Sequence, residues 1–162
     1  MADLNLAGAK ILVTGGAGFI GSELVCQLAT AGASVTVVDN LVNGKRENLN
    51  EVIGNEVCLE VTDIRDTSAM GKLLDGVDII FHLACLGVRH SIHDPKENHE
   101  VNASGTLQLL EVSKKLKVGR FVYVSTSEVY GTACYTPMTE QHPTMPQTVY
   151  GGSKLALSLI HI

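Results

Sequence analysis

Tryptophan is absent from this chain of 162 residues, and Phe and Tyr together make up only 4% of it. Basic runs are missing too, as is any interleaving of basic with aromatic residues. With a formal charge of −5, that excludes a nucleic-acid partner or an anionic membrane surface. No apolar stretch approaches the about 20 residues that span a bilayer, so no membrane association is expected. The first residues, Met1 to Asn5, lack the charged start and apolar block of a secretory signal. Paired cysteines are lacking as well: Cys26, Cys58, Cys85 and Cys134 are widely scattered, which suits free thiols in a reducing cytoplasm rather than disulfides or a zinc site.

What is present is 45% hydrophobic residues and 16 glycines, a mixture that suits short strands, tight turns and closely packed helices. The length allows one domain with a substantial core. Short apolar runs alternate with helical patterns. Strands are expected at 11–13, 34–39, 57–61, 77–84 and 121–125. A helix is expected from the glycine-rich turn to about Ala31, ended by Gly32, and a short one after Asp66 or Thr67. A long one is expected over 97–116. Residues 40–50, 85–96 and 131–149 read as loops. This β-α alternation implies parallel strands joined by right-handed crossovers, hence an α/β fold: a doubly wound parallel sheet with helices on both faces.

Gly15, Gly18 and Gly21 lie between the first strand and the first helix. Glycine there permits a tight turn and lets backbone N–H groups approach a pyrophosphate at a helix N-terminus. The second strand ends in Asp39, 18 residues beyond Gly21. A carboxylate there accepts hydrogen bonds from an adenosine ribose and repels a 2′-phosphate, which favours NAD over NADP. Asp63 and Ile64 follow the third strand at the same carboxyl edge. Asp63 either contacts the adenine or caps the next helix.

Tyr150 and Lys154 stand four apart, on one helical face. A free phenol, with a pKa near 10, is a poor base. A neighbouring ammonium and the positive nicotinamide of NAD would both favour the phenolate, creating a base that takes a hydroxyl proton as hydride leaves the same carbon. Thr126, ending the fifth strand, supplies a hydroxyl that can hydrogen-bond the reacting oxygen.

Seven segments occur in one order: TGGAGFIG (14–21), VDNL (38–41), TDI (62–64), FHLA (81–84), VNASGT (101–106), STSEVYG (125–131) and YGGSK (150–154). Through them the chain resembles the extended short-chain dehydrogenase/reductases, specifically the NAD-dependent nucleotide-sugar epimerase/dehydratase family. The resemblance implies a Rossmann-type NAD domain and transient oxidation at sugar C4. It implies Tyr150 as base and acid, Lys154 as its pKa-lowering and ribose-binding partner, and Thr126 as the third member, also touching substrate. Cofactor contacts are implied at Gly15, Gly18, Phe19, Ile20, Gly21, Asp39, Asn40, Asp63, Ile64, Leu83, Ala84, Cys85 and Asn102, besides Tyr150 and Lys154.

Glu128 matches a second acid/base of sugar 4,6-dehydratases, or else bonds a neighbouring loop. Ser91 matches a substrate-side loop, and Arg89 either meets a phosphate or lies at the surface. His90, His93 and His99 lack Cys or acidic partners at metal-ligand spacing, so no metal is expected and they read as solvated loop residues. His82 reads as a satisfied core histidine. The implied activity is that of a 4-epimerase or 4,6-dehydratase on a UDP-, dTDP- or GDP-hexose, in a cytoplasmic homodimer. A decarboxylase of the same family and a non-catalytic NAD sensor are the alternatives.

Family members carry further strands and a C-terminal substrate region. The final LSLIHI (157–162) reads as one frame of a common transposase sequencing adapter. The expectation is therefore an incomplete NAD-binding domain over 1–156 followed by a non-native tail over 157–162. A fragment of this kind is expected to be marginally stable and inactive.

Overall fold

The computed structural model describes residues 6–54 and 56–159. Runs rich in β-branched and aromatic residues form the strands, and a glycine turn carries the first of them into the first helix. In chain order the elements are β1 (Lys10–Thr14), α1 (Phe19–Thr30), β2 (Ser34–Asp39), β3 (Val57–Val61), α2 (Thr67–Leu73) and β4 (Ile79–His82). They continue with α3 (Val88–His93), α4 (Pro95–His99), a π-helical stretch (Glu100–Gly105), α5 (Thr106–Lys115), β5 (Arg120–Tyr123) and α6 (Val149–Ser158). Two 3-10 turns, Arg46–Leu49 and Ser127–Val129, interrupt the loops.

The chain divides into two compact units: residues up to Ala84 with Leu109–Val124, and Cys85–Gln108 with Ser125 onward. The first holds the whole sheet, in the order β3-β2-β1-β4-β5 with every pairing parallel. Alternate residues of β1 serve opposite faces. Ile11 and Val13 join Val35, Val37, Val25, Leu28 and Leu49 in one cluster, whereas Leu12, Val38 and Ile80 are fully buried outside it. The register places Thr14, Val38 and His82 side by side. Turns leaving β1, β2 and β4 therefore share one carboxyl edge, where open α/β sheets receive ligands.

The expected helix end at Gly32 is observed. Gly32 has φ +82°, its N–H donates to Ala29 O, and the Ala33 N–H donates to Leu28 O. Asp66, rather than Thr67, caps α2 by accepting from the N–H groups of Ser68 and Ala69. Three expectations need correction. Residues 85–96 are not a loop, because α3 occupies part of the segment and α4 begins at Pro95. Asp94 caps α4 by accepting from Glu97 N, and Pro95 suits the first helical position because its missing N–H is not needed there.

The long helix is also not uniformly α, since a π stretch centred on Asn102 interrupts it. β4 is shorter than expected because the Ala84 N–H turns to the Thr14 hydroxyl at 3.2 Å instead of a strand carbonyl. Residues 40–50 hide a fully buried Leu49 within their 3-10 turn. Among the described residues, no helix is long and apolar enough to cross a membrane.

Candidate active site

In the first unit the glycine turn is shaped by close approach. Gly15 has φ +70°, and a Cβ added there would lie 2.6 Å from Ala84 N; one on Gly21 would lie 2.1 Å from Gly15 O. Neither position admits a side chain. Gly18 occupies the N-cap of α1 and offers no side-chain cap, and the first helical turn carries no acid. The helix dipole and unspent amides therefore face a ligand anion unopposed, and a pyrophosphate fits this donor set. Phe19 and Ile20, 91% and 67% exposed, stand at the entrance to the helix.

Asp39 is buried and already engaged: Oδ2 accepts from Ala17 N at 3.0 Å, and Oδ1 from Leu41 N at 2.9 Å. Ala17 O in turn accepts from Lys45 N at 3.0 Å and Asn48 Nδ2 at 2.8 Å. The Ala17 backbone at the middle of the turn is thus fastened through its N–H by the end of β2 and through its carbonyl by the segment after it. A carboxylate has about four lone-pair sites, so Asp39 retains capacity for ribose hydroxyls.

Asp63 does not cap α2, which corrects one of its two readings. Instead Arg65 grips it with two donors, Nε to Oδ1 at 2.9 Å and Nη2 to Oδ2 at 2.7 Å, and Asn40 Nδ2 approaches at 3.4 Å. Hydrogen bonding from Arg65 holds this carboxyl below its ordinary value against the opposing effect of burial. Ile64 is buried. His82 is the satisfied core histidine expected from its strand, with Nδ1 2.5 Å from Thr14 Oγ1 and its ring stacked on Tyr123. The Thr14 hydroxyl thus spans His82 and Ala84 N, fixing the backbone that meets Gly15.

In the second unit, Thr126 caps the 3-10 turn that carries Glu128, accepting from Glu128 N at 3.3 Å. Tyr150 enters from the first turn of α6. That helix is capped by Thr148, which accepts from Gly151 N at 2.9 Å and donates to Glu128 Oε2 at 3.4 Å. Glu128 therefore does bond a neighbouring loop residue, and its charge also reaches Tyr150. Thr126 and Cys85 both lie close enough to the Tyr150 phenol to act on its ionisation. Lys154, one turn further, is 2% exposed.

The electrostatics of this set differ from expectation. Burial raises the Tyr150 phenol above 10.0, the charge of Cys85 adds to that, and the Thr126 hydrogen bond opposes it. Burial also pushes Lys154 below 10.5. Both shifts disfavour a phenolate–ammonium pair in the folded chain itself, because each charge would sit away from water.

Asn102 is 1% exposed and clamps the backbone of one residue: Oδ1 accepts from Leu86 N and Nδ2 donates to Leu86 O, both at 2.8 Å. Asn98, fully buried, donates to Leu86 O at 2.9 Å and Gly87 O at 3.1 Å, and accepts from Asn102 Nδ2 at 3.1 Å. The pair fixes the residue next to Cys85. Ser91 lies within α3, buried, with Oγ donating to Val88 O at 2.7 Å. His90 faces Glu97 at 3.3 Å and His99 meets Ser153 Oγ at 2.9 Å, so neither is a solvated loop residue.

Asn48, Thr148 and Asn98 escaped the sequence reading. A cap before Tyr150 and two asparagines four apart on one helix face were the available signals.

Parallel strands in this order, a glycine turn at their carboxyl edge and a Thr–Tyr–Lys set define a short-chain dehydrogenase/reductase. The chain belongs to the NAD-dependent epimerase/dehydratase family, and residues 12–162 match the family model described as GDP-mannose 4,6 dehydratase. It is 39% identical over 158 residues to the human UDP-glucose 4-epimerase, covering 90% of this chain and 45% of that protein. It is 37% identical over 147 residues to a putative UDP-glucose 4-epimerase of Methanocaldococcus jannaschii, covering 89% and 47%.

Among solved structures, a dTDP-glucose 4,6-dehydratase from Streptomyces venezuelae with NAD bound superposes with TM-score 0.88 at 39% identity, over 93% of this chain and 49% of that one. A UDP-N-acetylglucosamine 4-epimerase from Methanobrevibacter ruminantium gives 0.89 at 32%, over 94% and 49%. The chain thus spans about half the length of the relatives it matches.

Proposed function

We propose that the protein is an NAD-dependent nucleotide-sugar 4-epimerase or 4,6-dehydratase that works by transient oxidation at sugar C4. The observation that carries this reading is the Tyr150 phenol lying close enough to Thr126 for the hydroxyl to act on its ionisation, one helical turn from the buried Lys154. When bound, NAD accepts hydride from C4 and returns it. Tyr150 takes the proton of the C4 hydroxyl while Thr126 holds the same oxygen. In the epimerase branch hydride and proton return to C4 and its oxygen, whereas in the dehydratase branch O4 stays a ketone and the hydride goes to C6. Lys154 supplies an ammonium beside the cofactor ribose. Because the folded chain raises Tyr150, proton abstraction depends on positive charge arriving with the cofactor, and base and oxidant become competent together.

Glu128 favours the dehydratase branch, since its carboxylate lies close enough to act electrostatically on Tyr150. Bonding to Thr148 leaves its other oxygen for proton transfer during loss of water. The epimerase branch is favoured by the human and archaeal relatives.

Gly15, Gly18, Gly21 and Asp39 are the proposed pyrophosphate and ribose contacts, joined by Phe19, Ile20, Asn40, Asp63, Ile64, Leu83, Ala84, Cys85 and Asn102. Ser91 acts on the substrate side from a buried position. A UDP-, dTDP- or GDP-hexose is the proposed substrate, and a cytoplasmic homodimer the working form. The NAD-binding domain over 1–156 belongs to the same proposal. Residues 157–159 continue or follow α6, while 160–162 lie outside the described residues.

The deciding experiment incubates the full-length protein with NAD and UDP- or dTDP-glucose. A 4-epimer assigns an epimerase, and a 4-keto-6-deoxy sugar a dehydratase. Tyr150→Phe should lower kcat by about 10²–10⁴-fold with NAD binding retained. Undiminished turnover in that variant would refute the role of Tyr150, and NAD binding without turnover of any nucleotide sugar would favour the non-catalytic alternative.

A further inference from the structure

Residues 131–148 join the Thr126–Glu128 turn to α6 and are almost wholly exposed. Among the described residues between Tyr130 and Val149, His142 alone is buried, at 3% exposed. Its Nε2 lies 2.9 Å from the backbone nitrogen of Cys134, and its Nδ1 lies 2.9 Å from the carbonyl oxygen of Pro143. An amide N–H can only donate and a carbonyl can only accept, so Nε2 is bare and Nδ1 carries the proton. His142 is therefore neutral and held in one tautomer.

The rings of Tyr130 and Tyr135 stand against His142 at 5.6 and 4.7 Å. The stems of the segment are closed separately. Gly131 has φ +66°, and a Cβ there would lie 2.0 Å from Met145 O. The stem ends at Thr148, which caps the helix carrying Tyr150 and touches Glu128.

We propose that neutral His142 is a positioning residue: by tying Cys134 and Pro143 to one ring it fixes residues 131–148, and so the placement of Tyr150 against Thr126. A second ring proton would set Nε2–H against the Cys134 N–H, two donors face to face, and would free the tip of the segment. The titratable side chains standing against the ring are Tyr130 and Tyr135. Glu140 is the nearest carboxylate along the chain, and among the described residues no ion pair involves His142.

The kinetic part of the test rests on the proposed C4 oxidation, whereas the exchange part does not. On the full-length protein, the amide protection factor of Cys134 is followed against pH alongside kcat and KM for wild type, His142→Gln and His142→Leu. Protection at Cys134 should vanish in a one-proton step as the imidazole titrates, and the acid limb of kcat should follow the same step while KM changes little.

His142→Gln, which can accept from the amide and donate to the carbonyl, should stay within about threefold of wild-type kcat and lose that limb. His142→Leu should lower kcat by about tenfold or more. Protection of Cys134 that ignores pH, or an unchanged acid limb in His142→Gln, would overturn the proposal. Absence of turnover in the wild type would count against the proposed function and leave the exchange result to decide the positioning role.

Discussion

Cys85 sits where a thiolate opposes the formation of a phenolate. Its charge is the second cause, after burial, of the raised Tyr150. Replacing it by Ala should lower the Tyr150 pKa and shift the acid limb of kcat, or the tyrosinate absorbance difference between this variant and its Tyr150→Phe partner, toward lower pH. At Asp63 the sign runs the other way. Its folded pKa lies below the ordinary 3.8, so the Arg65 pair contributes stability that is complete above that value and lost as pH falls through the folded pKa.

Asp63→Asn should accordingly weaken the fold at pH 7 in urea titrations, by a small amount because both side chains are partly exposed. The gap from wild type should close in strong acid. At this scale the sequence exposed residue types but not partners. Asp39 was legible as an acid at a strand end, whereas its bond to Ala17 N depends on a fold that brings two segments 22 residues apart together.

Elements were legible wherever period and punctuation agreed. β2 and β3 fall on their expected residues, and α1 stops at Gly32 for the expected reason. Failures came where a strong local signal was outweighed by a loop-like composition: the Asp94–Pro95 start of α4 lay inside an apparently polar segment. α5 ends by the same device as α1, but with Lys117 at φ +57° in place of glycine; its N–H donates to Lys114 O and the Val118 N–H to Ser113 O. A lysine in this left-handed position is strained. Lys117→Gly should raise stability by about 1 kcal/mol, read as a higher urea midpoint with an unchanged slope. The π stretch at Glu100–Gly105 had no signal in the sequence.

Taken as a whole molecule, the chain keeps its glycine turn in one compact unit and its Thr126–Tyr150–Lys154 set in the other. Gly15→Ala should therefore abolish NAD binding through the clash with Ala84, while Tyr150→Phe should leave it intact; isothermal titration of both variants checks the separation. The parallel sheet followed from the β-α alternation, whereas its strand order came only with the structure. The Thr126–Tyr150–Lys154 set was legible as motifs, and its electrostatics were not, because burial of Tyr150 and Lys154 is set by surroundings that no spacing rule reports.

The bond from Ala17 N to Asp39 also bears on how such a protein can evolve. The residue that would discriminate against a 2′-phosphate is also a strut of the turn that would hold the pyrophosphate. A lineage drifting toward NADP could not simply discard this acid. It would first need a new acceptor for the Ala17 amide, so cofactor preference here is locked by mechanical necessity as well as by charge.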